Sequence, residues 1–181
     1  MINEIMDDFS PVIRFTAVSV PNAHLIGAVT KHYIQSDTHQ CQLAQYLNKK
    51  NPICHDGVNV SYMYPVQSNS IYVRTYERGV GFTNACGTAM TAAALVAKMT
   101  ALVTSEEIIV YNPGGFVKCT VNNDGNNYEF LLTGNATITE YCLLQLNEEK
   151  YQWIICEQTT ESIQYEKCIK FVKEHTAQFI M

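Results

Sequence analysis

At 181 residues the chain is long enough for one domain with a real core or two small ones, and its 47% hydrophobic, 16% charged composition is that of a folded protein. A formal net charge of -5 gives no electrostatic footprint for nucleic acid or an anionic membrane, and neither partner is expected. No apolar run approaches the roughly 20 residues of a bilayer span, and the acidic start (Glu4, Asp7, Asp8) lacks the basic flank of a secretory leader, so the expected address is cytoplasmic.

Residues 1 to 11 are polar and expected to fray until Pro11. Val12 to Val20 is β-branched enough for a strand, which Pro21 ends; the following P-N-A-H places Asn22 and His24 at a strand exit. Cys41, Leu43, Ala44 and Leu47 recur at helical spacing, predicting a helix over about Asp37 to Lys49 with Asp37 capping its first turn. Val58, Val60, Tyr62, Tyr64 and Val66 then alternate with Asn59, Ser61 and Met63 as a strand, with Asn59 facing away from the apolar side.

The stretch with the most chemistry runs from Ser70 to Met99. Ile71, Val73 and Thr75 alternate with Tyr72, Arg74 and Tyr76 as a half-buried strand ending in Glu77 and Arg78. Gly79 and Gly81 follow, and then an alanine-rich helix from Ala85 to Met99 with Cys86 and Gly87 at its start. Downstream, Glu106 to Tyr111 is a short strand turned by Pro113-Gly114-Gly115. Phe116 to Val121 and Tyr128 to Thr133 form a hairpin around Asp124-Gly125. A last strand covers about Ala136 to Leu146. An amphipathic helix from about Thr160 places Tyr165, Cys168, Ile169, Val172 and Phe179 on one face and Glu166 four residues before Lys170. Hairpin-length turns and two-residue alternation predict an α+β fold with a mainly antiparallel sheet and helices packed against or inside it. The composition break near Asn147 to Lys150 suggests a domain of residues 1–146 and a C-terminal extension of 147–181.

A cysteine at a helix N-terminus is a candidate general base or nucleophile, because the positive end of the helix favours the thiolate. Ala85 and Gly87 leave the Cys86 thiol little cover, and the first-turn N–H groups of Gly87, Thr88 and Ala89 can take up a carboxylate beside it. Glu77 and Arg78 face opposite ways, so one of them points toward the helix start. The arginine suits a carboxylate; the glutamate suits a substrate ammonium or a catalytic histidine. Each part also has a plain alternative: a buried cysteine, a solvated helix start capped by Thr88, a surface ion pair, a structural His24. The pair Gly79 and Gly81 does not make a dinucleotide fingerprint, since Asn84 stands where a third glycine is needed. His32, His39, His55 and His175 have no metal spacing with the seven cysteines, which are odd in number, lack a Cys-x-x-Cys pair and read as reduced thiols. No metal site is expected.

The run Y-E-R-G-V-G-F-T-N-A-C-G-T-A, with P-N-A-H upstream, V-N-V between and N-P-G-G downstream, resembles the C-terminal half of diaminopimelate epimerase over about residues 16 to 146. The resemblance implies a cofactor-independent amino-acid racemase or epimerase of lysine biosynthesis, acting on a small amino acid. In that family two pseudo-symmetric domains each wrap a sheet around a central helix and each contribute one cysteine. By position it implies Cys86 as one of two acid/base thiols, with His24 and Glu77 beside it in the catalytic set. Gly87 and Thr88 would donate to the substrate α-carboxylate, and Asn22, Asn59, Glu77 and Arg78 would contact substrate. Pro21 and Ala23 depart from the family's G-N-P-H, Phe82 replaces a glutamate and so alters pocket polarity, and Ala89 replaces a glycine. Nothing matches the half that carries the second cysteine. Inverting an α-carbon needs a base on one face and an acid on the other, so the expected partner is a companion N-terminal half, or a second copy in a homodimer. A ligand-binding or assembly module that keeps the pocket is the alternative, and a cysteine hydrolase using Cys86 and His24 is a third reading.

Overall fold

Nine strands form one sheet in the order β1 (Glu4–Met6), β2 (Ser10–Val20), β3 (Asn22–Ala28), β4 (Asn59–Gln67), β5 (Ser70–Glu77), β7 (Glu107–Asn112), β8 (Gly115–Asn123) and β9 (Tyr128–Thr133), with β6 (Gly81–Thr83) paired on β5. The computed structural model describes residues 1–125, 127–147 and 150–180, with backbone alone at 155 and 156. Every neighbouring pair in this sheet is antiparallel except β3–β4 and β5–β7. Parallel neighbours need a crossover, and these two joints are where helices are inserted: α1 (Lys31–Gln35) and α2 (Thr38–Leu47) between β3 and β4, and α3 (Gly87–Met99) between β5 and β7.

The crossover helices lie on opposite faces. On the inner face, α3 is enclosed by the sheet: Ala89 to Ala97 are all buried, and Met90, Leu95 and Val96 pack with Ile26, Met63, Ile71, Val73, Ile108, Val110 and Val121. Alanine at Ala89, Ala92, Ala93, Ala94 and Ala97 lets strands approach this helix closely from several sides. On the outer face, α1 and α2 cover Phe15, Leu25, Val60 and Tyr62. The fold is therefore α+β, a mainly antiparallel sheet wrapped around a central helix. Because β4 lies under helices on both faces, Asn59, Ser61 and Met63 are buried as fully as Val58, Val60 and Tyr62. Asn59 does alternate with the valines, but the side it faces is also interior.

Several local expectations are corrected. The N-terminal residues are not frayed, since β1 pairs with β2. Asn22 and His24 lie at the entry of β3, after a one-residue break at Pro21. Asp37 takes a helical backbone conformation and makes no side-chain cap bond. The central helix starts where expected, at Gly87 with Cys86 as its N-cap residue. The last expected strand begins only at Glu140: β10 (Glu140–Asn147) pairs with β11 (Lys150–Gln158) in a separate two-stranded sheet. The Asn122 to Asn127 hairpin turn and the break at Asn147 to Lys150 include residues outside those described.

The tail closes with α4 (Thr160–Ile180), which lays Val172 and Phe179 on Val66 and Tyr111 and donates a Tyr165 hydroxyl bond to the Gly114 carbonyl, 2.9 Å. The ion pair along it is Lys170–Glu174, 3.8 Å, and not Glu166–Lys170 as the spacing suggested. No helix among the described residues is long and apolar enough to cross a membrane.

Arg74 ties α1 and α2 to the sheet. Its Nε donates to Gln40 Oε1 at 2.8 Å, Nη1 to the Ile34 carbonyl at 2.7 Å, and Nη2 to the Tyr33 and Ser36 carbonyls at 3.1 and 2.8 Å. The guanidinium thus satisfies carbonyls that the end of a five-residue helix leaves without partners. Arg74→Met should cost about 2 to 3 kcal/mol in urea unfolding, and Arg74→Lys should recover only part of it, because one ammonium cannot span the same carbonyls.

Candidate active site

The starts of β3 and β4 and the end of β5 lie side by side in the sheet. His24 opens β3 and lies beside Asn59 in the parallel register. Asn59 Oδ1 accepts the Arg78 backbone N–H at 2.8 Å, which brings the end of β5 alongside. Ile26 and Val73 share the parity of His24 and Glu77 along their strands and pack around α3, so His24 and Glu77 face the inner side.

Glu77 is fixed from the other direction by β6. The turn after β5 uses Gly79 and Gly81 at φ 78° and 106°, a region that L side chains resist, and it pairs Glu77 with Gly81 and Thr75 with Thr83. Thr83 then donates its hydroxyl to Glu77 Oε1 at 2.5 Å. Three residues later the chain reaches Cys86, so Glu77 is tied through Thr83 to the loop that carries the thiol. The sequence signal for Thr83 is its spacing from Gly81 on a returning strand.

Cys86 is half-buried. Its carbonyl accepts the first helical bond, from Met90 N–H at 2.9 Å, and its side chain makes no cap bond; Sγ lies 3.5 Å from Thr88 Oγ1. Thr88 therefore faces the thiol and does not cap the helix. The first-turn N–H groups of α3, from Gly87 onward, are the ones an α-helix leaves without intrahelical partners. A Cβ at Gly87 would stand 3.3 Å from Leu132 Cδ2, so a side chain there must displace the β9 leucine. The N-P-G-G turn supports the loop from behind. Asn112 Oδ1 accepts Gly114 N–H at 2.9 Å, Gly114 N–H also reaches the Asn84 carbonyl at 2.9 Å, and a Cβ at Gly114 would lie 3.1 Å from that carbonyl oxygen.

His24 is buried, and neither ring nitrogen makes a well-formed hydrogen bond. Burial pushes its pKa below the ordinary 6.5, opposed by the Val20 backbone and the Glu77 carboxylate. A histidine that resists protonation when folded binds its proton more readily unfolded, so its contribution is intact above pH 6.5 and is lost as pH falls below that. His39, also lowered by burial, acts in the same direction. The urea midpoint should therefore drop between pH 7.5 and pH 5.5, and His24→Asn should flatten that slope.

The expectation about Phe82 changes. Phe82 does not reach the inner side: it packs edge-on against Tyr76, ring centroids 5.1 Å apart, and lies under the Arg74 guanidinium at 5.6 Å, on the outer face. Its replacement of a glutamate therefore leaves the inner face unaltered. Arg78 is exposed, and its Nη1 donates to the Asp56 carbonyl, so in this structure it is held toward the 54–57 loop. Asn22 is exposed at the rim.

Grooves of about 520 Å³ (Lys98, Met99, Glu106, Val121, Tyr128) and 360 Å³ (Phe116, Lys118, Tyr165, Cys168) include neither Cys86 nor His24 nor Glu77. Among the described residues no cluster of His, Cys, Asp and Glu could hold a metal ion, and Cys41, Cys54, Cys86, Cys119 and Cys168 are free thiols.

A sequence model of the family described as Diaminopimelate epimerase matches residues 16–139. A diaminopimelate epimerase of Listeria monocytogenes is 42% identical over 176 residues, covering 96% of this chain and 53% of that protein. One of Enterococcus faecalis is 41% identical over 180 residues, covering 96% and 55%. The chain thus spans about half the length of the curated relatives it matches. Among solved structures, a Bacillus anthracis phenazine biosynthesis protein of the PhzF family aligns with a TM-score of 0.44 at 12% identity, over 64% of this chain and 37% of that one.

Proposed function

The chain belongs to the diaminopimelate epimerase family, and from that premise we propose that it supplies one face of a cofactor-independent epimerisation at the α-carbon of a diaminopimelate-type amino acid. The observation that carries this reading is the half-buried Cys86 thiol at the N-cap of an enclosed helix, three residues after Thr83, whose hydroxyl bonds Glu77.

The Cys86 thiolate takes the α-proton, and the electron pair left on Cα delocalises into the α-carboxylate. The amides of Gly87 and Thr88, with the α3 dipole behind them, stabilise the charge that develops there, and Arg78 adds a donor once it leaves the Asp56 carbonyl. Glu77 receives the substrate ammonium; neutral His24, Asn22 and Asn59 line the remaining wall. Reprotonation on the opposite face requires a second acid, which one thiol cannot provide. A companion half bearing the other cysteine closes the site, in keeping with relatives about twice as long.

The test is deuterium wash-in at Cα of diaminopimelate in heavy water, using residues 1–181 together with the portion of the Listeria relative that the chain does not match. Exchange with inversion of configuration is expected. Absence of exchange from a mixture of two folded chains overturns the proposal.

A further inference from the structure

Among the described residues β10 and β11 form a two-stranded sheet of their own, and an isolated two-stranded hairpin is marginal in water. The register puts Leu144 opposite Trp153 and Leu146 opposite Tyr151, so these four side chains share one face. All four are exposed: Leu146 72%, Tyr151 71%, Trp153 62% and Leu144 40%. The other face is interrupted by Gln145 opposite Gln152 and Asn147 opposite Lys150. An apolar strip that includes a tryptophan and a tyrosine has the character of a contact surface.

The match to the Listeria relative takes in 96% of this chain, which leaves too few residues outside it to omit the hairpin. The strip therefore belongs to a stretch shared with proteins that carry nearly as much chain again. We propose that the Leu144, Leu146, Tyr151 and Trp153 face is the docking surface for the companion half, so that the hairpin anchors the segment that brings the second acid to Cys86. The inference rests on the companion half in the functional reading above. The occupant must present an apolar face of its own, because the strip offers no charge to pair.

Trp153 is the chain's single tryptophan and reports directly on this face. The full chain is titrated with the unmatched portion of the Listeria relative, a Trp153→Phe chain serving as the spectral blank. The Trp153 emission should shift to the blue and residues 140–158 should gain protection from hydrogen exchange. Leu144→Glu with Leu146→Glu should weaken the complex about 30-fold or more, as for a central hot spot. Gln145→Glu with Gln152→Lys, an opposite-charge pair on the other face, should leave it unchanged. A complex with intact α-proton exchange that is indifferent to the leucine changes overturns the docking surface and leaves the functional reading standing. No complex and no exchange from two folded chains overturns both. If the chain instead forms dimers that the leucine changes dissociate, the strip is a self-association face and the proposal fails.

Discussion

Replacing Cys86 with alanine is expected to lower α-proton exchange by a factor of about 100 to 10,000, the range for removing a positioned acid or base. Stability should barely move. The thiol makes no cap bond, its closest polar contact is Thr88 Oγ1 at 3.5 Å, and the residue is only half-buried. Such changes are ordinarily within about 0.5 kcal/mol. Substrate binding should also survive, because the amides proposed to hold the carboxylate are backbone groups that the substitution leaves in place. The loss should therefore fall on kcat, with KM nearly unchanged, in wash-in assays on the chain with its companion half. Exchange that persists in Cys86→Ala at the wild-type rate would remove the thiol from the chemistry.

The sequence made the strongly periodic parts legible. β5 and α3 carry period-two and alanine-rich signals that no neighbour contradicts, and the three strands β7, β8 and β9 are marked by Pro113-Gly114-Gly115 and Asp124-Gly125. β3 was hidden because its seven residues, Asn-Ala-His-Leu-Ile-Gly-Ala, are short and covered on both faces, so they show no alternation. Asn59 is legible only in part for the same reason: local pattern reports which side a residue takes, and only tertiary structure reports whether that side is interior. At Phe82 a three-residue strand is too short to fix parity, and pairing with Tyr76 decides it. The site followed the same division. Cys86, Glu77, Asn59 and His24 could each be placed at a strand end or helix start. The proximity of His24, Asn59 and the end of β5 depends on the β3–β4 and β4–β5 registers, which are long-range, and Thr83 becomes visible as a partner of Glu77 only when β6 folds back.

Introducing leucine at both Ala92 and Ala93 should destabilise the protein by roughly 2 to 6 kcal/mol, taking about 1 to 3 for each overpacked position. Both alanines are fully buried, and α3 meets strands from both sides of the sheet order, including β2, β3, β5 and β8. A helix on an open sheet relieves added bulk by lifting away. One enclosed by strands cannot, so relief requires opening the sheet or sliding the helix along its axis. Either movement carries Cys86, because the N-cap is the end of the same rigid element. A displacement near 1 Å at reacting groups costs on the order of 100-fold in rate, so the double variant should lose exchange even where urea titration shows it still folded. Met99→Leu, at the exposed end of the same helix, should leave both readouts close to wild type. An unchanged urea midpoint in the alanine double variant would mean that the strands do not confine α3. The position of Cys86 would then have to be set by the Asn84–Gly114 contact alone.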